Sequence, residues 1–156
     1  MQSAKGYEIT ATVGHIVDLP RNTMSVEVKK EGSKERVIFD MQVMPDKKKV
    51  VSDIRAKCRG AEVLIASDPD REGEKIAWDV ENIVSKDAKS VDRIEFHAIT
   101  DAEVGKALKN RRKVNERLVE SAVARRLIDR LIGYSLSGKA ADSLSLPFGA
   151  VSVGRV

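Results

Sequence analysis

Residues 63–80, VLIASDPDREGEKIAWDV, join a short continuous apolar run to an acidic turn and then to a helical pattern. Val63, Leu64, Ile65 and Ala66 have the composition of a strand buried on both faces, as in the centre of a parallel sheet. Ile76, Ala77, Val80, Ile83 and Val84 recur at helical spacing. Between and among them stand Asp68, Asp70, Glu72, Glu74 and Asp79, a concentration of negative charge in a chain whose net charge is +4. The point where a parallel strand ends and a helix begins is the edge at which open α/β sheets bind their ligands.

Working outward, Val50, Val51, Ile54 and Cys58 predict a helix with Gly60 as its stop. Ile94 and Phe96 predict a strand, and Thr100-Asp101-Ala102-Glu103 is a capping box that opens a helix through about Leu108. Helix, strand, helix, strand, helix in succession predicts an α/β fold with a parallel sheet flanked by helices. Upstream, Tyr7, Ile9, Ala11 and Val13 alternate as in a strand, interrupted by Gly14-His15. Met24, Val26 and Val28 alternate again, and Val37, Ile38 and Phe39 follow the turn-like Glu31-Gly32-Ser33. Beyond Lys109 the pattern is all-helical: Asn115 is placed to cap a segment whose apolar stripe runs from Leu118 to Ile132 and ends near Gly133. The polar Asn110-Arg111-Arg112-Lys113 marks the boundary, dividing the chain into 1–110 and 111–156.

The 28 Lys and Arg against 24 Asp and Glu are unevenly placed. From Asp101 onward there are 11 basic and 6 acidic residues, a surplus of five, against 17 and 18 before it. A cationic last third points to a polyanionic partner. A single cysteine, Cys58, excludes an intramolecular disulfide and any multi-cysteine metal site and suits a reducing compartment. No apolar run is long enough to span a bilayer and residues 1–5 do not resemble a signal peptide, so a cytoplasmic protein with no membrane role is expected.

Asp68 and Asp70 are two apart in a turn and Glu72 opens the helix, so their carboxylates can converge. Carboxylates that close repel unless a cation or proton lies between them. Mg²⁺ suits such a site, because it takes a few carboxylates plus water and shares its remaining positions with phosphate. A plainer alternative is local structure: acids in a first turn gain about 0.3–1 kcal/mol each from the helix dipole, and Asp-Pro-Asp is ordinary turn chemistry.

SDPDREGEKIAWDV resembles the acidic motif of the Toprim domain of type IA DNA topoisomerases. ATVGHIVDLP is similar to that family's Gly-His-Ile segment, RIEFHAIT to the strand and helix start after the acidic helix, ARRLIDRLIGYSLS to the arginine-rich helix following Toprim, and SVGRV to the Ser-x-Gly-Arg-Val of the next domain. Toprim acids alone are shared with primases, type II topoisomerases and nucleases; the Gly-His-Ile and ARRLIDR segments narrow the family. The resemblance implies an enzyme that opens one DNA strand through a tyrosine ester, passes another through and reseals it with Mg²⁺. It implies that Asp68, Asp70 and Glu72 hold Mg²⁺ at the cleaved phosphodiester, with Glu74 behind them. It also implies that His15 borders the active site, that Arg126 and Arg130 contact the scissile-strand backbone with Asp129 orienting them, that Arg130 belongs to the catalytic set, and that Arg155 approaches DNA. The partner is then DNA, mainly single-stranded and held through phosphates.

Each of these residues also has an ordinary alternative. A histidine after a strand is commonly structural, and Arg126, Asp129 and Arg130 have the spacing of a solvated helix edge with internal ion pairs. The sequence departs from the family as well. Residues 1–4 leave no room for the first Toprim strand, whose glutamate serves as acid and base, and neither Tyr7 nor Tyr134 stands in the context of the nucleophile. A fragment of a larger topoisomerase is therefore expected, inactive alone in relaxation and in covalent cleavage, with the remainder of that chain as partner. A Toprim-type nuclease or primase, and a noncatalytic nucleic-acid-binding module, are the competing readings.

Overall fold

The computed structural model describes residues 6–147. Its elements, in order, are β1 (Val17–Asp18), β2 (Val26–Glu31), β3 (Lys34–Phe39), β4 (Gln42–Val43), a short 3-10 helix (Pro45–Lys47), α1 (Lys48–Cys58), β5 (Glu62–Ile65), α2 (Arg71–Val84), β6 (Ser90–Arg93), α3 (Asp101–Lys109) and α4 (Glu116–Ser143). The chain divides into two compact units, Met1–Asp18 with Val43–Val119, and Leu19–Gln42 with Glu120–Val156. Compactness and motif order thus divide the chain differently.

The first unit is the mixed α/β one predicted from the alternation of helices and strands. β5 and β6 pair in parallel, Glu62 with Ser90 through Ile65 with Arg93. The connection between them runs through α2, the helical crossover that parallel strands require. Ile16, Ile54, Cys58, Ile65, Ala77, Val80, Val84 and Val91 form one buried cluster. At about 1.5–3 kcal/mol per fully buried large aliphatic side chain, this cluster is the main stabilising term of the unit. Gly60, at φ +69°, supplies the left-handed turn between α1 and β5.

β6 lies earlier than Ile94 and Phe96 predict. In Ser90-Val91-Asp92-Arg93 the inward positions are Val91 and Arg93, and a charged residue at an inward position hides the period-2 signal. Ile94 still closes the ladder, its amide donating to the Ile65 carbonyl at 3.0 Å. The strand predicted over Tyr7–Val13 is not formed. Val13 and Gly14 have φ of +54° and +86°, which breaks the pleat, and Lys47 Nζ donates to the Thr12 and Val13 carbonyls at 3.3 and 2.7 Å, so no neighbouring strand accepts them into a ladder.

In the second unit β2 and β3 form an antiparallel hairpin, Val26 opposite Phe39 and Glu31 opposite Lys34, turning at Gly32 with φ +65°. A lone hairpin is marginal in water. Here Val26 joins Leu19 and Leu127 in a small core against which Met41, Val123 and Leu131 pack. α4 does not stop near Gly133 but runs on to Ser143. A glycine inside a helix costs about 1 kcal/mol relative to alanine, too little to end a helix that continues on both sides. No helix of the described residues is long and apolar enough to cross a membrane.

Candidate functional site

β5 ends at Ile65, and the five residues that follow carry the chain to the start of α2. Asp70 is the N-cap: extended at φ −131° and ψ 178°, its Oδ1 accepts the Gly73 amide at 2.7 Å. Ser67 Oγ donates to the Gly73 carbonyl at 2.6 Å, so the turn is tied to the first turn of the helix from both sides. Gly73 is required sterically, not for its φ. A Cβ built there would stand 2.0 Å from the Asp68 carbonyl oxygen and 2.9 Å from the Asp68 nitrogen. The Asp68 peptide therefore rests directly on the bare Gly73 backbone, while the Asp68 and Asp70 residues themselves are exposed.

Glu72 is half-exposed, and His15 Nε2 lies 3.4 Å from its Oε2, with Arg71 Nε 3.9 Å from Oε1. The structure thus brings His15 against Glu72 at the start of α2. Further along α2, Lys75 Nζ donates to both oxygens of Asp79 at 2.6 and 2.7 Å in a buried pair. Burial pushes the Asp79 carboxyl up against the pull of Lys75 and, more weakly, of His15.

Beneath the turn lies a charged network that the sequence pattern did not single out. Neither Arg93 nor Glu74 is exposed at all, and Arg93 Nε donates to Glu74 Oε1 at 3.0 Å. Arg93 Nη1 donates to the carbonyls of Ile65 (3.2 Å) and Ile94 (2.8 Å), and Nη2 to the carbonyl of Asp68 (2.8 Å). Glu74 also accepts from the Asn115 amide at 2.8 Å and from Arg112, which bridges it to Glu95. Burial disfavours the Glu74 charge, but the bonds from Arg112, the Asn115 amide and Arg93 outweigh it and hold the carboxyl below its ordinary range. Glu74 is thus buried between two arginines and neutralises both. The signal for the missed partner was Arg93 itself, a charge two residues from Val91 on the inward face of a strand.

Among the described residues, no three His, Cys, Asp or Glu side chains are gathered closely enough to form a metal cage. Mg²⁺ does not demand one, since it commonly takes one or two carboxylates and completes its shell with water and phosphate oxygens. Exposed carboxylates on a turn whose backbone is pinned fit that donor chemistry.

The arginine helix lies in the second unit. Arg126 is exposed on α4. Arg130 is engaged with the backbone, Nη1 donating to the carbonyls of Pro20 (2.7 Å) and Thr23 (2.8 Å) and Nη2 to that of Leu19 (3.3 Å). Its guanidinium also stacks on Tyr134, 5.1 Å from the ring centre, and Tyr134 Oη donates to the Arg21 carbonyl at 2.7 Å. Asp129 faces Arg125 at 4.0 Å. Arg155 lies outside the described residues.

A parallel β-α-β unit, with an acidic turn at the strand's carboxyl end and a glycine on which that turn rests, fits one class of domain, and residues 1–99 match it: the chain belongs to the Toprim domain family. Its relatives are then specific. It is 38% identical over 134 residues to DNA topoisomerase 1 of Campylobacter jejuni, across 85% of this chain and 19% of the relative. It is 39% identical over 131 residues to DNA topoisomerase 1 of Thermotoga maritima, across 84% of this chain and 20% of the relative. The solved full-length topoisomerase I from Thermotoga maritima superposes with a TM-score of 0.73 at 37% identity, over 86% of this chain and 22% of that one. The chain spans about a fifth of the length of the curated relatives it matches.

Proposed function

We propose that this chain is the Toprim portion of a type IA DNA topoisomerase, an isomerase that changes DNA topology by transient single-strand cleavage and religation. The observation that carries the proposal is the acidic turn at the end of β5, with its backbone fixed and its Asp68 and Asp70 residues exposed. Asp68, Asp70 and Glu72 are the residues that would hold Mg²⁺, which when bound supplies positive charge for the phosphodiester oxygens. His15, against Glu72, would keep that carboxylate oriented or donate to a phosphate.

Arg126 would contribute a forked guanidinium to the backbone of the DNA strand, and Arg155 a further positive charge. Arg130, with Asp129 on the same helix, would act by shaping the loop from Leu19 to Thr23 that accompanies it, with direct phosphate contact as the finer expectation. The nucleophilic tyrosine is assigned to another part of the enzyme: Tyr134 is engaged with the Arg21 carbonyl and the Arg130 guanidinium. The chain alone is expected neither to relax supercoils nor to form a covalent DNA adduct. The setting proposed is the cytoplasm, with DNA, chiefly its single-stranded form, as partner.

The test is binding of a fluorescent single-stranded oligonucleotide by anisotropy, with and without Mg²⁺. Affinity should fall, and its salt slope shrink, in Arg126→Ala. Affinity indifferent to both the ion and the arginine contradicts the proposal. Cleaved oligonucleotide without a covalent adduct would instead favour a Toprim nuclease.

A further inference from the structure

Arg93 is an unusual residue to find with no exposed surface. A buried arginine must satisfy its donors and find a counter-charge, and four bonds do this: one to Glu74, and three to the carbonyls of Ile65, Ile94 and Asp68. These carbonyls are not scattered. Ile65 is the last residue of β5, Ile94 follows the last residue of β6, and Asp68 is the first acid of the turn. The guanidinium therefore stitches the carboxyl ends of two parallel strands to the peptide that carries the candidate ligand. From the other side the same Asp68 carbonyl lies against the Gly73 backbone, where a Cβ would stand 2.0 Å away. One peptide is thus drawn inward by Arg93 and admitted by Gly73.

Resting on the Mg²⁺ reading of the acidic turn, we infer that Arg93 is a positioning residue for the metal site. It fixes the Asp68 peptide so that the turn presents its carboxylates outward in one arrangement, and Glu74 is the buried anion that keeps Arg93 in place. Arg93 touches neither metal nor DNA. Its effect passes through the backbone, as partners behind metal ligands generally act, and their loss typically costs about 10–100-fold in metal affinity.

Arg93→Lys is the informative variant, because it keeps a positive charge for Glu74 but lacks the planar fork that reaches three carbonyls at once. Two measurements on the full chain separate the clamp from the metal. Backbone amide hydrogen exchange, followed without metal, should speed up for residues 68–73 by tenfold or more in Arg93→Lys and stay near the parent in the middle of α2. Calorimetric titration with Mg²⁺ alone should then show affinity at least about tenfold weaker than the parent, while thermal unfolding confirms that the variant is folded. A merely structural arginine would lower the melting temperature and leave the Mg²⁺ isotherm of the folded protein unchanged, and that result overturns the inference. Unchanged exchange over residues 68–73 overturns the clamp whether or not the metal binds. A parent chain with no saturable Mg²⁺ binding sinks the metal reading, and with it the purpose assigned to the clamp, even where the exchange result upholds the clamp itself.

Discussion

The Asp70 carboxylate accepts the Gly73 amide at 2.7 Å, which makes one side chain both the cap of α2 and a candidate ligand of the metal. The two roles separate by substitution. Asparagine caps a helix about as well as aspartate, whereas alanine costs on the order of 1 kcal/mol. Asp70→Asn is expected to keep the parent's melting temperature and lose Mg²⁺ affinity, and Asp70→Ala to lose both. Equal Mg²⁺ affinity in parent and Asp70→Asn would assign the residue to capping alone.

Gly73→Ala sets two effects against each other. Alanine is the better helix former by up to about 1 kcal/mol, but its methyl would meet the Asp68 backbone rather than a side chain that can swing away. Overpacking of this kind costs about 1–3 kcal/mol or more, so net destabilisation is expected. Chemical denaturation checks it, and a variant at least as stable as the parent contradicts the close contact.

Glu74→Leu removes the anion between Arg93 and Arg112 and leaves a fully buried guanidinium without a counter-charge. Breaking such a pair from one side costs about 3–5 kcal/mol, the largest single-site loss expected in the first unit. Denaturant midpoints for Glu74→Leu and for the half-buried Glu103→Leu provide the comparison, and similar losses would refute it.

The same carboxylate sets a pH dependence. Its folded value lies below the ordinary range because the bonds from Arg112, the Asn115 amide and Arg93 overcome the burial penalty. A depressed carboxyl contributes stability that is complete above the unfolded value, near 4.3, and is lost as pH falls through the lower folded value. Melting temperature should be flat across neutral pH and fall on the acid side of about pH 4.3, and Glu74→Gln should flatten that acid limb. An acid limb of equal depth in Glu74→Gln would assign it to other carboxylates, Glu95 beside Arg112 first among them.

Arg130→Ala releases the carbonyls of Leu19, Pro20 and Thr23. A loss on the order of 2 kcal/mol is expected, since hydrogen bonds from charged donors contribute about 1.5–3 kcal/mol. Arg126→Ala, on an exposed position, should cost less stability than Arg130→Ala. Weaker DNA binding by Arg130→Ala therefore has to be read beside its thermal stability, and an unchanged melting temperature would return Arg130 to a direct phosphate role.

Much of this was legible in the sequence because local chemistry and tertiary role agree there. The run Val63–Ala66, the acids after it and the apolar face of α2 each carry one signal, and the structure realises β5, the capped turn and the buried cluster around Ala77, Val80 and Val84. Thr100 caps α3 as its capping box implied, accepting the Glu103 amide at 3.3 Å. Legibility failed where a long-range partner overrode the local pattern. Arg93 is not among the residues that the sequence pattern marks; Glu74, the carbonyls of Ile65 and Asp68 and that of the adjoining Ile94 surround it. Tyr7–Val13 reads as a strand, but no ladder partner meets it and Lys47 takes two of its carbonyls. The hold of Arg130 on the loop from Leu19 to Thr23 is likewise invisible in its own helix, because that loop lies more than a hundred residues earlier.

The most direct test of the central claim, that the turn after β5 is a Mg²⁺ seat, is calorimetric titration of Mg²⁺ into the chain and into the double variant Asp68→Asn with Asp70→Asn. Because asparagine retains the cap, the double variant should remain folded, which circular dichroism verifies in the same sample. Saturable binding by the parent that disappears in the folded variant is the predicted result. The same isotherm from both proteins would contradict the account and leave the acids as helix-capping chemistry.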